Sequence, residues 1–181
     1  MIPLQILDRL FAFAGRACGV LACIAMLLLL VNVCYDVVAR YAFSSVSIGL
    51  QELEWHLFAC VFLLGIPYAV TREGHVRVDI FYERWSARRQ AWVNLVGVTL
   101  FTLPFCVLVF WYGSGYAMDA FAIGERSGDP GGLPARWLIK SLIPVSAAMT
   151  AIASLGMITG AWLTLLGVDD LGHDDPTGPQ Q

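Results

Sequence analysis

The chain has 181 residues, 58% of them hydrophobic and only 14% charged, with a formal net charge of −3 and a mean hydropathy of +0.69. Soluble domains carry about a quarter charged residues, so an ordinary soluble domain is excluded. The few Lys and Arg side chains form no basic patch of the kind that reads nucleic acid, and no polar segment is long enough for a separate soluble domain.

Taken in chain order, residues 3–14 place Leu4, Leu7, Leu10 and Phe11 on one helical face, which predicts a short amphipathic helix lying on the membrane surface. Arg9 and Arg16 before an apolar run imitate a signal peptide, and Val20-Leu21-Ala22-Cys23 imitates a lipoprotein cleavage box. The apolar run ahead of Cys23 is too short for that, and it continues as a full span, so an uncleaved first helix is expected. Residues 17–35, 55–71, 90–118 and 141–168 are free of Asp, Glu, Lys and Arg. A bilayer core needs about 20 residues of helix. The second run is short, but Leu50, Leu53 and Trp55 extend it, leaving Glu52 and Glu54 at headgroup level. Four spans follow, at about 17–40, 50–71, 90–118 and 137–167, and in lipid they must be helical because no water satisfies the backbone. Pro67 and Pro104 fall inside two of them and read as kinks. Gly15, Gly19, Gly97, Gly113, Gly156 and Gly160 are read as close-approach positions, with Gly156 and Gly160 in a small-xxx-small pattern. Cys18, Cys23, Cys34, Cys60 and Cys106 all lie in apolar runs and read as small hydrophobes.

The connection between the second and third spans carries Val78, Phe81, Tyr82 and Trp85 at helical spacing beside Arg77, Arg84 and Arg88. That pattern predicts a second interfacial helix at about 76–86, its aromatic rings among headgroups and its arginines on lipid phosphates. Ser86 is positioned to cap the third span. The connection between the third and fourth spans, Gly124 to Pro134, is a Gly/Pro turn that feeds the fourth helix. Residues 169–181 form an acidic tail expected to be disordered. Arg9 and Arg16, with Arg72, Arg77, Arg84, Arg88 and Arg89, outweigh Arg40, Arg126, Arg136 and Lys140 on the other side. The positive-inside rule then predicts cytoplasmic N- and C-termini.

These segments carry a resemblance. Gly74-His75-Val76-Arg77-Val78-Asp79-Ile80-Phe81-Tyr82, with Ser86-Ala87-Arg88-Arg89-Gln90-Ala91-Trp92-Val93 after it, is similar to the small membrane subunit of TRAP (tripartite ATP-independent periplasmic) transporters. Arg40-Tyr41, Gln51-Glu52, Gly131-Gly132-Leu133-Pro134 and Leu138-Ile139-Lys140-Ser141-Leu142-Ile143-Pro144 extend the likeness, in order, over nearly the whole chain. The resemblance implies a bacterial inner-membrane subunit of a sodium-coupled organic-acid uptake system. Its implied partners are a large multi-span permease, a periplasmic substrate-binding protein and membrane lipids, and it implies a scaffolding role for this subunit. No cofactor, catalytic residue or metal ligand is expected.

The polar residues singled out are Asp36, Arg40, Glu52, His75, Arg77, Asp79 and Lys140. Asp36 and Arg40 are four apart and meet on one helix face near the end of the first span, as an end-of-helix pair or as an intramembrane ion or proton site. Glu52 stands in a family-like position that suggests a subunit contact. His75, Arg77 and Asp79 are expected to pin the interfacial helix or an interface. Lys140 either snorkels or pairs with an acid of a partner. Two rival classes are a redox anchor, which needs histidines facing one another across the bundle, and an autonomous small transporter, which needs polar groups along a mid-membrane path or inverted repeats. The middles of the apolar runs offer only Asn32, Thr99, Thr102, Ser146, Thr150 and Ser154. An all-α membrane protein with four spans and interfacial helices, serving as an accessory subunit, is the expectation.

Overall fold

The computed structural model describes residues 2–72 and 85–166. Helix α1 runs from Ile2 to Phe43 (42 residues) and α2 from Ile48 to Thr71 (24 residues). The third span is composite: α3 (Ala87–Gly97), a π turn (Val98–Thr102) and α4 (Leu103–Ala122). Helix α5, Trp137–Leu165, has 29 residues. Leu10–Phe43, Ile48–Thr71, Arg88–Ala122 and Trp137–Leu165 are each long and apolar enough to cross a bilayer. The fold is all-α and membrane-spanning, with no strand among the described residues.

The stretch 3–14 is continuous with the first span rather than set off from it. Nothing breaks the helix there, since Pro3 sits in the first turn, where its missing N–H would have been unpaired anyway. The predicted interfacial helix at 76–86 lies outside the described residues except for Trp85 and Ser86, and the tail 169–181 lies outside them altogether. Ser86 does cap α3, through its backbone: its carbonyl accepts the Arg89 and Gln90 N–H groups at 2.8 and 3.1 Å.

Large side chains face outward and small ones inward, the reverse of a water-soluble core. Buried apolar positions are mostly alanine and cysteine, among them Cys18, Ala22, Ala25, Cys106, Ala117, Ala120, Ala147, Ala153 and Ala161. Leu27, Phe58, Phe62, Phe105 and Trp111 stand exposed. With hydrocarbon as solvent, burying leucine gains nothing, and small residues let helices approach. Helix α5 is the hub, packing against α1, α2, α3 and α4. Its buried Ser146, Ala147, Thr150, Ala153, Ser154 and Ala161 recur at helical spacing and form the stripe that makes this possible.

Close approach is local. A Cβ at Gly15 would lie 1.8 Å from Thr71 Oγ1, and one at Gly19 2.5 Å from Tyr68 Cδ2, so both glycines seat α1 on α2. Gly113 does the same for α4, its Cβ position being 3.3 Å from Pro144 Cδ on α5. By contrast, Gly97 and Gly160 have nothing within 4 Å of theirs. The expectation that Gly97 and Gly160 mediate tight contact is therefore corrected: α5 packs through its Ser/Ala/Thr stripe instead.

The prolines are absorbed in two ways. Pro67 has no N–H to give the Leu63 carbonyl one turn earlier, and the buried Ser146 hydroxyl of α5 donates to that carbonyl at 2.5 Å. Pro104 follows the π turn, where Leu103 N–H bonds the Val98 carbonyl five residues back.

Candidate functional site

The densest polar arrangement lies where α2 begins and where α4 joins α5. Helix α4 ends in a two-bond cap: Gly124, at φ +58°, bonds Phe121 O at 3.0 Å, and Glu125 N–H reaches Ala120 O at 2.9 Å. This Schellman geometry turns the chain sharply and aims residues 125–136 back across the bundle end. Ser127 N–H bonds Leu133 O at 3.1 Å and Gly132 N–H bonds Asp129 O at 3.0 Å, closing a tight inner loop. Arg136 N–H then returns to Glu125 O at 3.1 Å, so both ends of the loop are tied together at the start of α5.

Glu52, in the first turns of α2, fastens this loop. It is 7% exposed. One carboxylate oxygen accepts the Ser127 hydroxyl, and the other accepts Leu133 N–H at 2.6 Å. Gly132 leaves room for this: a Cβ there would lie 2.9 Å from Glu52 Oε2 and 2.5 Å from Ser127 Oγ. Gly49, three residues earlier, lets α2 approach the Gly131 carbonyl, 3.0 Å from its Cβ position. A carboxylate taken out of water needs donors, and the loop supplies them from side chain and backbone together.

Aromatic contacts flank the pin. The His56 ring nitrogen lies 2.6 Å from Glu52 O, and its ring lies 4.0 Å from that of Trp55. The Arg136 guanidinium sits 5.4 Å from the Trp55 ring centre. Lys140 Nζ pairs with Glu125 at 2.5 Å and lies 4.0 Å from the Tyr116 ring centre. The acid that Lys140 meets is thus one of this chain's own, supplied by the loop that the α4 cap redirects.

The second polar group sits on α1. Asn32 is 8% exposed, and its side-chain amide donates to Leu50 O at 2.9 Å, joining α1 to the opening of α2. One turn on, Asp36 pairs with Arg40 at 2.5 Å; the acid side chain is 5% exposed and the arginine 42%. Asp36 Oδ1 and the Ser154 hydroxyl are buried without a hydrogen-bond partner in the described structure. Of the residues singled out from sequence, Glu52 and Lys140 meet in one cluster through the 125–136 loop, whereas Asp36 and Arg40 bond to each other. His75, Arg77 and Asp79 lie outside the described residues. Sequence reasoning missed Glu125, Ser127 and the Leu133 amide as partners, because loop residues bring no periodic signal with them. Among the described residues no three His, Cys, Asp or Glu side chains lie close enough to share a metal ion.

An all-α bundle of four spans with small residues inside and large apolar ones outside defines a multi-pass membrane protein. The family described as "Tripartite ATP-independent periplasmic transporters, DctQ component" matches residues 29–164, which covers about the last third of α1 and runs from there through nearly all of α5. The chain belongs to that family and is a small permease component of a TRAP transporter. No curated protein matches it.

Proposed function

We propose that this chain is the small subunit of a sodium-coupled, binding-protein-dependent uptake system for organic acids, where it scaffolds the large permease in the inner membrane. Family membership supports the transport assignment. The observation that carries the scaffolding reading is the inside-out packing: α1 and α4 each present long apolar faces, with Leu27 64%, Val31 66%, Phe105 65% and Tyr112 72% exposed. Such faces fit apposition to another membrane protein as well as to lipid. The polar groups at the bundle end are spent on bonds within the chain, which suits a rigid platform better than a moving gate. Asp36, Arg40, Glu52 and Lys140 are in this reading structural residues, and His75, Arg77 and Asp79 are assigned to an interface with the permease. The termini are placed in the cytoplasm and the 123–136 loop on the periplasmic side, within reach of a substrate-binding protein.

The test is affinity purification of the tagged full chain from bacterial membranes in mild detergent, with mass spectrometry of what accompanies it, followed by uptake in cells with and without the chain. A stoichiometric multi-span partner and a sodium-dependent uptake that vanishes with the chain are expected. A chain that purifies alone, or uptake indifferent to sodium, overturns the reading.

A further inference from the structure

A groove of about 570 Å³ runs between the composite third span and α5, lined by Leu95, Leu100, Ile158, Thr159 and Trp162 among others. Its lining is almost wholly apolar, and its one described hydroxyl pairing is internal, Thr159 Oγ1 donating to Gly156 O at 2.8 Å. The groove opens to the outside of the bundle, with Val96 51%, Leu100 62% and Trp162 48% exposed. It lies at the π turn, where Gly97 has an empty flank, as Gly160 does on α5.

What makes this more than a bare apolar face is the register above it. Arg88, Trp92, Leu95 and Thr99 fall at i, i+4, i+7 and i+11, and Arg89 precedes Val96 and Leu100 by the same steps of seven and eleven. Both arginines are exposed, and neither pairs with an acid among the described residues. At 1.5 Å per residue they stand roughly 10 Å above the mouth of the groove and about 17 Å above its far end. Trp92, 51% exposed, lies between arginine and groove, at the depth where indole rings collect at the membrane interface. Cation, aromatic ring and apolar trough therefore follow one another down one helix face in the order of phosphate, glycerol backbone and acyl chain. We infer that this face binds one anionic phospholipid, its phosphate on Arg88 and Arg89 and an acyl chain in the groove. The inference rests on α3, the π turn and α5 alone, so it stands or falls separately from the transport assignment.

Native mass spectrometry of the full chain released from mild detergent, with phosphatidylglycerol or phosphatidylcholine of matched chains added, tests it. Each arginine near an anionic headgroup is worth roughly a five-fold preference, so with two the wild type should favour phosphatidylglycerol by about 25-fold. Arg88→Gln with Arg89→Gln should abolish the preference and leave weak binding of both lipids. Leu100→Trp or Thr159→Trp, which fill the groove, should lose both adducts, while Leu27→Trp on the remote face of α1 should change nothing. Equal retention of the two lipids by wild type overturns the inference. So does undiminished binding in the groove-filled variants, or cross-linking of Thr159→Cys to a partner helix with no lipid adduct, which would make the groove a protein interface.

Discussion

Ser146 and Pro67 form a pair that neither helix explains alone. Proline in α2 strips the Leu63 carbonyl of its donor, and Ser146 on α5 replaces it. Interhelical hydrogen bonds in membranes are worth about 0.6 kcal/mol on average and at most about 1.7. Ser146→Ala should therefore cost about 1 kcal/mol in detergent unfolding of the purified protein, while in a Pro67→Ala background, where the helix bonds its own carbonyl, the loss should be far smaller. Equal losses in the two backgrounds would show that the hydroxyl serves something other than the proline. Glu52 calls for a different readout, because its work is to hold a loop. Glu52→Leu leaves the Ser127 hydroxyl and the Leu133 N–H without the acceptor they share. Faster hydrogen exchange at the amides of 127–133 is expected, with helix content unchanged; unaltered exchange would mean that the inner loop holds its shape unaided. Glu52 was legible as a polar residue at the edge of a span. Its partners were not, since they lie far away in sequence and join it only through the α4 cap.

At the scale of helices, the four spans were legible because charge is excluded from hydrocarbon, and runs without Asp, Glu, Lys and Arg mark them directly. Which glycines matter was not legible, since glycine is frequent in membrane helices whether or not a neighbour leans on it. Gly15, Gly19 and Gly113 carry contacts; Gly97 and Gly160 do not. Gly19→Leu should wedge α1 from α2 at a cost of about 1–3 kcal/mol. Gly160→Ala, with open space beside it, should stabilise the fold by about 0.5–1 kcal/mol through helix propensity. Unfolding of the two variants under identical detergent conditions reads both signs at once. A destabilised Gly160→Ala would mean that another chain, or the acyl chain inferred above, occupies that space in the detergent-solubilised state.

For the molecule as a whole, a bundle whose interior is largely alanine, cysteine and serine holds together through close backbone approach and interhelical hydrogen bonds. Its large side chains look outward, so a neighbour packed against them adds contacts that the chain by itself lacks. If the outward faces meet a permease, co-expression with that permease should slow proteolysis of the small subunit by about ten-fold or more, since a partner present at ten times its dissociation constant already stabilises to that degree. Equal half-lives with and without the partner would point to lipid as the only neighbour. Orientation is checked in the same cells: a cysteine at Asp129 should react with a membrane-impermeant maleimide added from the periplasmic side, and one in the 169–181 tail should not.

The π turn at Val98–Thr102 has one more consequence. A π turn behaves as a single residue let into an α-helix, and one residue corresponds to about 100° of rotation. The halves of the third span are thus out of phase: a stripe drawn along α4 does not continue along α3, and a helical wheel drawn over the whole span blurs two separate faces into none. Removing one residue from 98–102 would bring the halves into phase and turn α3, with Arg88, Arg89 and Trp92, by about 100° relative to α4 and α5. A chain so shortened should still insert with four spans, yet shed the phospholipid that the wild type retains.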